Sequence, residues 1–183
     1  MAELISAAAS VATLVVLTAA AVVALIQLRH MRAGNQLQAF VDVYNRANSP
    51  EMMKLFDFVL LDLAAVLKKD PDYVGRVVQR EIPSNESPLR VAFWFDEVGI
   101  ALRQGLVPAE VVFQIGASAY ATVSAWSAMQ PLIEALRKRS RASFLHFEYA
   151  AVRAQQWIDA HPDGDYPAGA PRWRDIPASR QLT

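Results

Sequence analysis

The sequence predicts an all-α protein: an N-terminal transmembrane helix that continues into a stem, followed by a cytosolic helical bundle. Three observations lead there. The run Leu4–Ile26 is apolar and carries no charge. Apolar residues beyond it return at steps of three and four. No stretch alternates like a strand, and no glycine-rich strand-to-helix turn occurs, so a bundle is the economical arrangement.

As a helix, Leu4–Ile26 would be about 34 Å long at about 1.5 Å per residue, against a hydrocarbon core of about 30 Å. Its Leu, Ile and Val residues outweigh the modest cost of two serines and two threonines. Only Glu3 and the amino group carry charge before it, whereas Arg29, His30 and Arg32 follow. Basic flanks stay on the cytoplasmic side, so the body is expected in the cytoplasm and the short N-terminus outside. A cleaved leader would need a basic start and a shorter apolar core. The absence of cysteine fits a reducing compartment.

The expected divisions are a membrane helix over 1–28, a stem over 29–48, a helical domain over 49–160 and an irregular tail over 161–183. Nothing breaks the first helix before Gly34, and Leu37, Phe40, Val41 and Tyr44 give the stem an apolar face. Ser49 is placed to cap the next helix and Pro50 to open it. Met52, Leu55, Phe56, Val59, Leu60 and Leu63 follow at helical spacing, and Asp70-Pro71 ends the helix. A short helix is expected over Asp72–Arg80 and a loop over Ile82–Pro88. From Ser87-Pro88 a further helix carries Val91, Phe95, Val98 and Leu102 on one face, with Gly105 as a left-handed cap. Pro108 opens another. A longer helix runs to about Arg139 with a kink at Pro131, and the last runs from about Ala142 to Ala160. Phe56, Leu60, Phe95, Val98 and Phe113 are expected in the core. Four prolines and two glycines from His161 onward forbid a regular element, leaving a tail that Trp173 can pin.

Four segments carry a family resemblance: QLRHMRAGNQLQAF (Gln27–Phe40), YNRANSPEM (Tyr44–Met52), FWFDEVGIALRQGLV (Phe93–Val107) and PLIEALRKR…FEYAAVRAQQW (Pro131–Trp157). In these the chain resembles a bacterial family known as a domain of unknown function. The resemblance implies one N-terminal membrane helix and a helical cytosolic domain, and it brings no catalytic residues.

Lys and Arg number 18, as do Asp and Glu, so no bulk field recruits nucleic acid. Three scattered histidines and no cysteine offer no metal-ligand pattern, and no cofactor is expected. Asp96-Glu97 is the one tempting acid pair, but adjacent helical positions diverge by about 100°, which keeps them from sharing a proton. No catalytic residue is assigned, and the chain is not expected to be an enzyme.

Two constellations remain. Glu3, Ser6, Ser10, Thr13, Leu17, Ala20, Ala24 and Gln27 follow a heptad seam of small and polar residues. Such a face suits a second helix or a narrow pore. The other is basic. Arg137, Lys138, Arg139 and Arg141 cluster near one helix end, Arg153 joins them if the last helix folds back, and Arg29 and Arg32 flank the membrane segment. These are candidate contacts for an anion or for lipid headgroups. The expectation is a homo-oligomeric membrane effector whose cytosolic domain senses a small anionic signal or a cytosolic protein and controls membrane permeability. The alternatives are a non-conducting scaffold anchored in the bilayer and, more remotely, an enzyme using Asp96 or Glu97.

Overall fold

The computed structural model of the chain describes residues 1–116, 118–162 and 164. The protein is all-α, with no strand among the described residues. It divides into two units, Met1–Asn48 and Ser49–Thr183.

The first unit is a single helix, α1 (Ala2–Ala47), of 46 residues. It runs through Gly34 without a break, so the expected membrane segment and stem share one helix. Thr18 donates its hydroxyl to the carbonyl of Leu14 at 2.8 Å, the self-satisfying bond open to a hydroxyl on a lone helix. Among the described residues no helix is long and apolar enough to cross a membrane. The side chains of residues 2–13 and 15, which include nearly half of the uncharged run, lie outside the described set.

The second unit opens as the sequence suggests. Ser49 accepts the N–H of Met52 at 3.3 Å and Pro50 takes the first helical position. Helix α2 (Pro50–Asp57) passes through a π-turn at Phe58–Asp62 into α3 (Leu63–Lys69). The π-turn widens the helix by a residue. Met52, Leu55, Val59 and Leu63 stay buried, but Leu60 is 36% exposed and Leu61 75% exposed. That corrects the expected burial of Leu60, because a regular helical period does not hold across the turn. Phe56 is half-buried, with its ring edge-on to Trp94 and Phe95.

Helix α4 (Tyr73–Val78) follows the corner at Asp70, whose carboxylate pairs with Arg76. Burial raises the Tyr73 phenol above its ordinary pKa, and the neighbouring Arg76 guanidinium partly offsets that. Helix α5 (Leu89–Arg103) buries Val91, Phe95, Val98 and Leu102 as expected. It ends at Gly105 with φ of 64°, where Gly105 N–H bonds Leu102 and Leu106 N–H bonds Ala101. Helix α6 (Ala109–Val111) leads into a second π-turn at Val112–Gly116. Helix α7 (Ala119–Arg137) carries Pro131 internally, where the ring removes the hydrogen bond to the Ser127 carbonyl at an exposed position. Helix α8 (Leu145–Ala160) begins three residues later than expected, because residues 140–144 form a turn that closes on a left-handed Phe144. The tail beyond residue 164, with Trp173, lies outside the described residues.

An aromatic chain joins these helices. Phe95 of α5 stacks on Phe147 of α8 at 4.7 Å between ring centres, and Trp126 of α7 meets Phe147 edge-on at 5.2 Å. Gly99 lets α5 and α8 approach closely, since a Cβ there would collide with the carbonyl of His146. The candidate site is built on the first turns of α5, next to the start of α8.

Candidate functional site

A cleft of about 670 Å³ opens in the second unit. Its floor and walls come from four separate stretches: the end of α4 with Arg80, the loop around Ser84 and Ser87, the first turns of α5, and the end of α7 with the turn before α8. From α5 it takes Arg90, Phe93 and Asp96, and from the last stretch Leu136, Ser143 and Phe144.

Two of these residues hold unusual backbone conformations. Among the described residues, Arg80 (φ 63°) and Phe144 (φ 56°) are the non-glycine residues in the left-handed region, and both line this cleft. At Arg80 the geometry is a helix stop: Arg80 N–H bonds the Val77 carbonyl and Glu81 N–H bonds that of Arg76. Glycine usually fills this position because a Cβ makes it costly by about 1–2 kcal/mol. Strain of this kind collects where a site is held in shape.

Asp96, one member of the acid pair, is engaged by backbone. Its Oδ1 accepts the backbone N–H groups of His146 and Phe147, at 3.0 and 2.9 Å. Phe144, the residue that precedes α8, supplies no side-chain cap. Asp96 therefore caps α8 from another helix, satisfying orphan N–H groups and meeting the positive end of the helix dipole. Its Oδ2 lies 3.5 Å from His146 Nδ1, while His146 Nε2 lies 3.2 Å from an Arg103 nitrogen. A guanidinium only donates, so Nε2 accepts and the ring proton sits on Nδ1, toward Asp96. Two backbone N–H groups and the start of α8 thus hold the carboxylate in place.

The basic cluster separates into two groups. Arg137 is absorbed: its Nε donates to Ser143 O at 2.9 Å and its Nη2 lies 2.7 Å from Glu148, with the guanidinium 5.6 Å over the Trp126 ring. It holds the α7–α8 turn together. Arg139 donates to the Val78 carbonyl at 3.3 Å, tying that turn to the end of α4 at the rim of the cleft. Lys138 and Arg141 are exposed near that rim, between lining residues Leu136 and Ala142. Arg153 bonds the Tyr149 hydroxyl at 3.2 Å instead of joining them.

Of the seam, Leu17, Ala20, Ala24 and Gln27 are exposed on α1, whereas the side chains of Glu3, Ser6, Ser10 and Thr13 lie outside the described residues. Arg29 is exposed, and the side chain of Arg32 also lies outside. No group of histidine and carboxylate side chains able to hold a metal occurs among the described residues. Sequence reasoning missed Arg80, Arg90 and Phe93. A left-handed arginine has no sequence mark, since the usual mark is glycine or asparagine.

A family described as a domain of unknown function (DUF4760) matches residues 14–154, more than two thirds of the chain. The chain belongs to this family. The matched DUF4760 region takes in much of α1 and every element that lines the cleft. No curated protein and no solved structure matches the chain.

Proposed function

We propose that the chain is a bacterial single-pass inner-membrane effector, with Leu4–Ile26 in the bilayer and residues 49–160 in the cytoplasm. The helical domain receives a small ligand in the Arg80–Phe144 cleft. Copies associate through the seam from Glu3 to Gln27, and occupancy of the cleft alters membrane permeability. One observation carries the sensing part: both left-handed, non-glycine residues among those described line a single cleft of small-molecule size. The membrane part is supported by the uncharged run and by the exposure of Leu14, Val16, Leu17, Val22 and Val23 on α1. A chain that left such a surface in water would aggregate or find a partner.

A second reading is a non-conducting scaffold anchored in the bilayer. It is favoured by the exposure of Leu61, 75% exposed in the π-turn, as an apolar side chain that a cytosolic protein can cover.

The test begins with alkaline carbonate extraction of membranes from expressing cells. The chain should stay in the pellet; release into the wash would end the membrane reading. In planar bilayers Leu17→Ser should raise ion leak by opening a dry constriction on the seam, while Val16→Ser, off the seam, should do less. Equal currents from both variants, or none from either, would favour the scaffold.

A further inference from the structure

We infer that the cleft takes a nucleoside phosphate. The inference deepens the reading of the cleft as a ligand site and rests on it. The cleft's chemistry has two halves. One is aromatic: Phe93 lines the wall yet is 60% exposed, held by Phe144 at 5.0 Å between ring centres. An exposed ring fixed in place is a platform for a planar base, which stacks whatever its identity. The other half is cationic. Arg80 makes no side-chain hydrogen bond or ion pair to another described residue. Arg90 has only a long 3.5 Å bond to the Asn85 carbonyl. Guanidinium groups with unspent donors are suited to bidentate phosphate binding.

The remaining walls agree. Asp96 is the carboxylate in the lining, and the two backbone N–H groups at the positive end of α8 partly offset its charge toward an anion. Ser84 and Ser143 bring hydroxyls that can meet a ribose or phosphate oxygen. The volume of about 670 Å³ falls within the range of about 300–1,000 Å³ for small-molecule sites and exceeds what a bare anion needs. A lipid headgroup shares the phosphate but brings no ring for Phe93. Arg80 completes the picture: a glycine would end α4 with less strain, whereas this position in the cleft lining carries an arginine.

The test uses the full chain in detergent and isothermal calorimetry with adenosine, guanosine and uridine monophosphates, adenosine, inorganic phosphate and a short-chain phosphatidylglycerol. At least one monophosphate should bind saturably, and adenosine and phosphate should each bind at least about tenfold more weakly. Phe93→Ala and Arg90→Gln should each weaken the nucleotide by roughly tenfold, while Phe93→Tyr should preserve it. Both altered side chains are at least partly exposed, so the fold should survive and circular dichroism will check it. Absence of nucleotide binding at millimolar concentration, phosphate binding as tightly as nucleotide, indifference to Phe93→Ala, or phosphatidylglycerol binding as tightly as nucleotide would each overturn the inference. Ala142→Trp, which fills the cleft from an exposed wall position, separates this failure from a wider one. If no nucleotide binds but Ala142→Trp changes ion leak, the ligand class is wrong and the cleft remains a control site. If it is silent too, the cleft reading falls with it.

Discussion

Phe93 and Phe95 are two residues apart on one helix and live in opposite regimes. Phe95 is 1% exposed, stacked on Phe147 and met edge-on by Phe56, at the centre of the bundle. Phe93 is 60% exposed, on the wall of the cleft. Around Phe95 the local choices agree: apolar spacing, a close helix approach at Gly99, rings in favourable edge and stacked geometry. Around Phe93 they conflict: two left-handed non-glycine residues, unspent cations, an open aromatic. Sequences specify folds where levels agree and depart from that agreement where something else is being served. The contrast within α5 is the reason to look for function on one side of it and stability on the other.

The largest effect tests that division directly. Phe95→Ala should lower unfolding free energy by about 3–5 kcal/mol, through lost burial and an unfilled cavity in a fully packed site. That is a large share of the total of about 5–15 kcal/mol typical of a domain. Phe93→Ala should cost only about 0.5–1.5 kcal/mol, the scale of one aromatic pair, because the ring is already in water. Denaturant unfolding of the two variants side by side checks this. Similar losses would mean that Phe93 belongs to the core and that the two faces of α5 are not different in kind.

The core face was legible because its signal is local. Val91, Phe95, Val98 and Leu102 repeat at helical steps, Ser49-Pro50 marks a helix start, and Gly105 marks a stop; each announces itself within a few residues. The cleft was illegible because its signals are not local. Its walls come from stretches distant in sequence. The role of Asp96 lies in bonds to amides fifty and fifty-one positions away. The π-turn at Phe58–Asp62 left no composition mark, so the regular period carried Leu60 inward where the structure turns it outward. Phe144 ended the expected reach of α8 for the same reason, since a phenylalanine gives no warning of a left-handed turn.

Asp96 stands between the two faces, and its replacement should have an intermediate effect. It lines the cleft, yet its bonds hold the start of α8 and thereby the position of Phe147. Asp96→Ala leaves two amide donors without an acceptor and removes a negative charge from the helix's positive end, which should cost about 1–2 kcal/mol. Asp96→Asn keeps one acceptor and should fall between the two. Amide hydrogen exchange at His146 and Phe147 is the specific readout, and both should exchange faster in Asp96→Ala. If exchange is unchanged, the cap is supplied elsewhere and Asp96 becomes available to the cleft.

The smallest effect has the opposite sign, and it sharpens the comparison most. Arg80→Gly should stabilise the protein slightly. A left-handed residue with a Cβ costs about 1–2 kcal/mol, which glycine removes. Glycine also has a larger unfolded-state entropy, which returns about 0.4–1 kcal/mol. The net gain should be about 0–1.6 kcal/mol, with no lost ion pair to subtract, because Arg80 makes none with the described residues. The same substitution removes a cation from the cleft wall and should weaken nucleotide monophosphate binding. Stability rising while binding falls is the signature of a residue placed for function against the preference of its backbone. A stability loss would show that the Arg80 side chain supports the corner at the end of α4. Unchanged binding would remove Arg80 from the site and leave Arg90 as its cation. Thermal unfolding and calorimetry on one preparation give both answers.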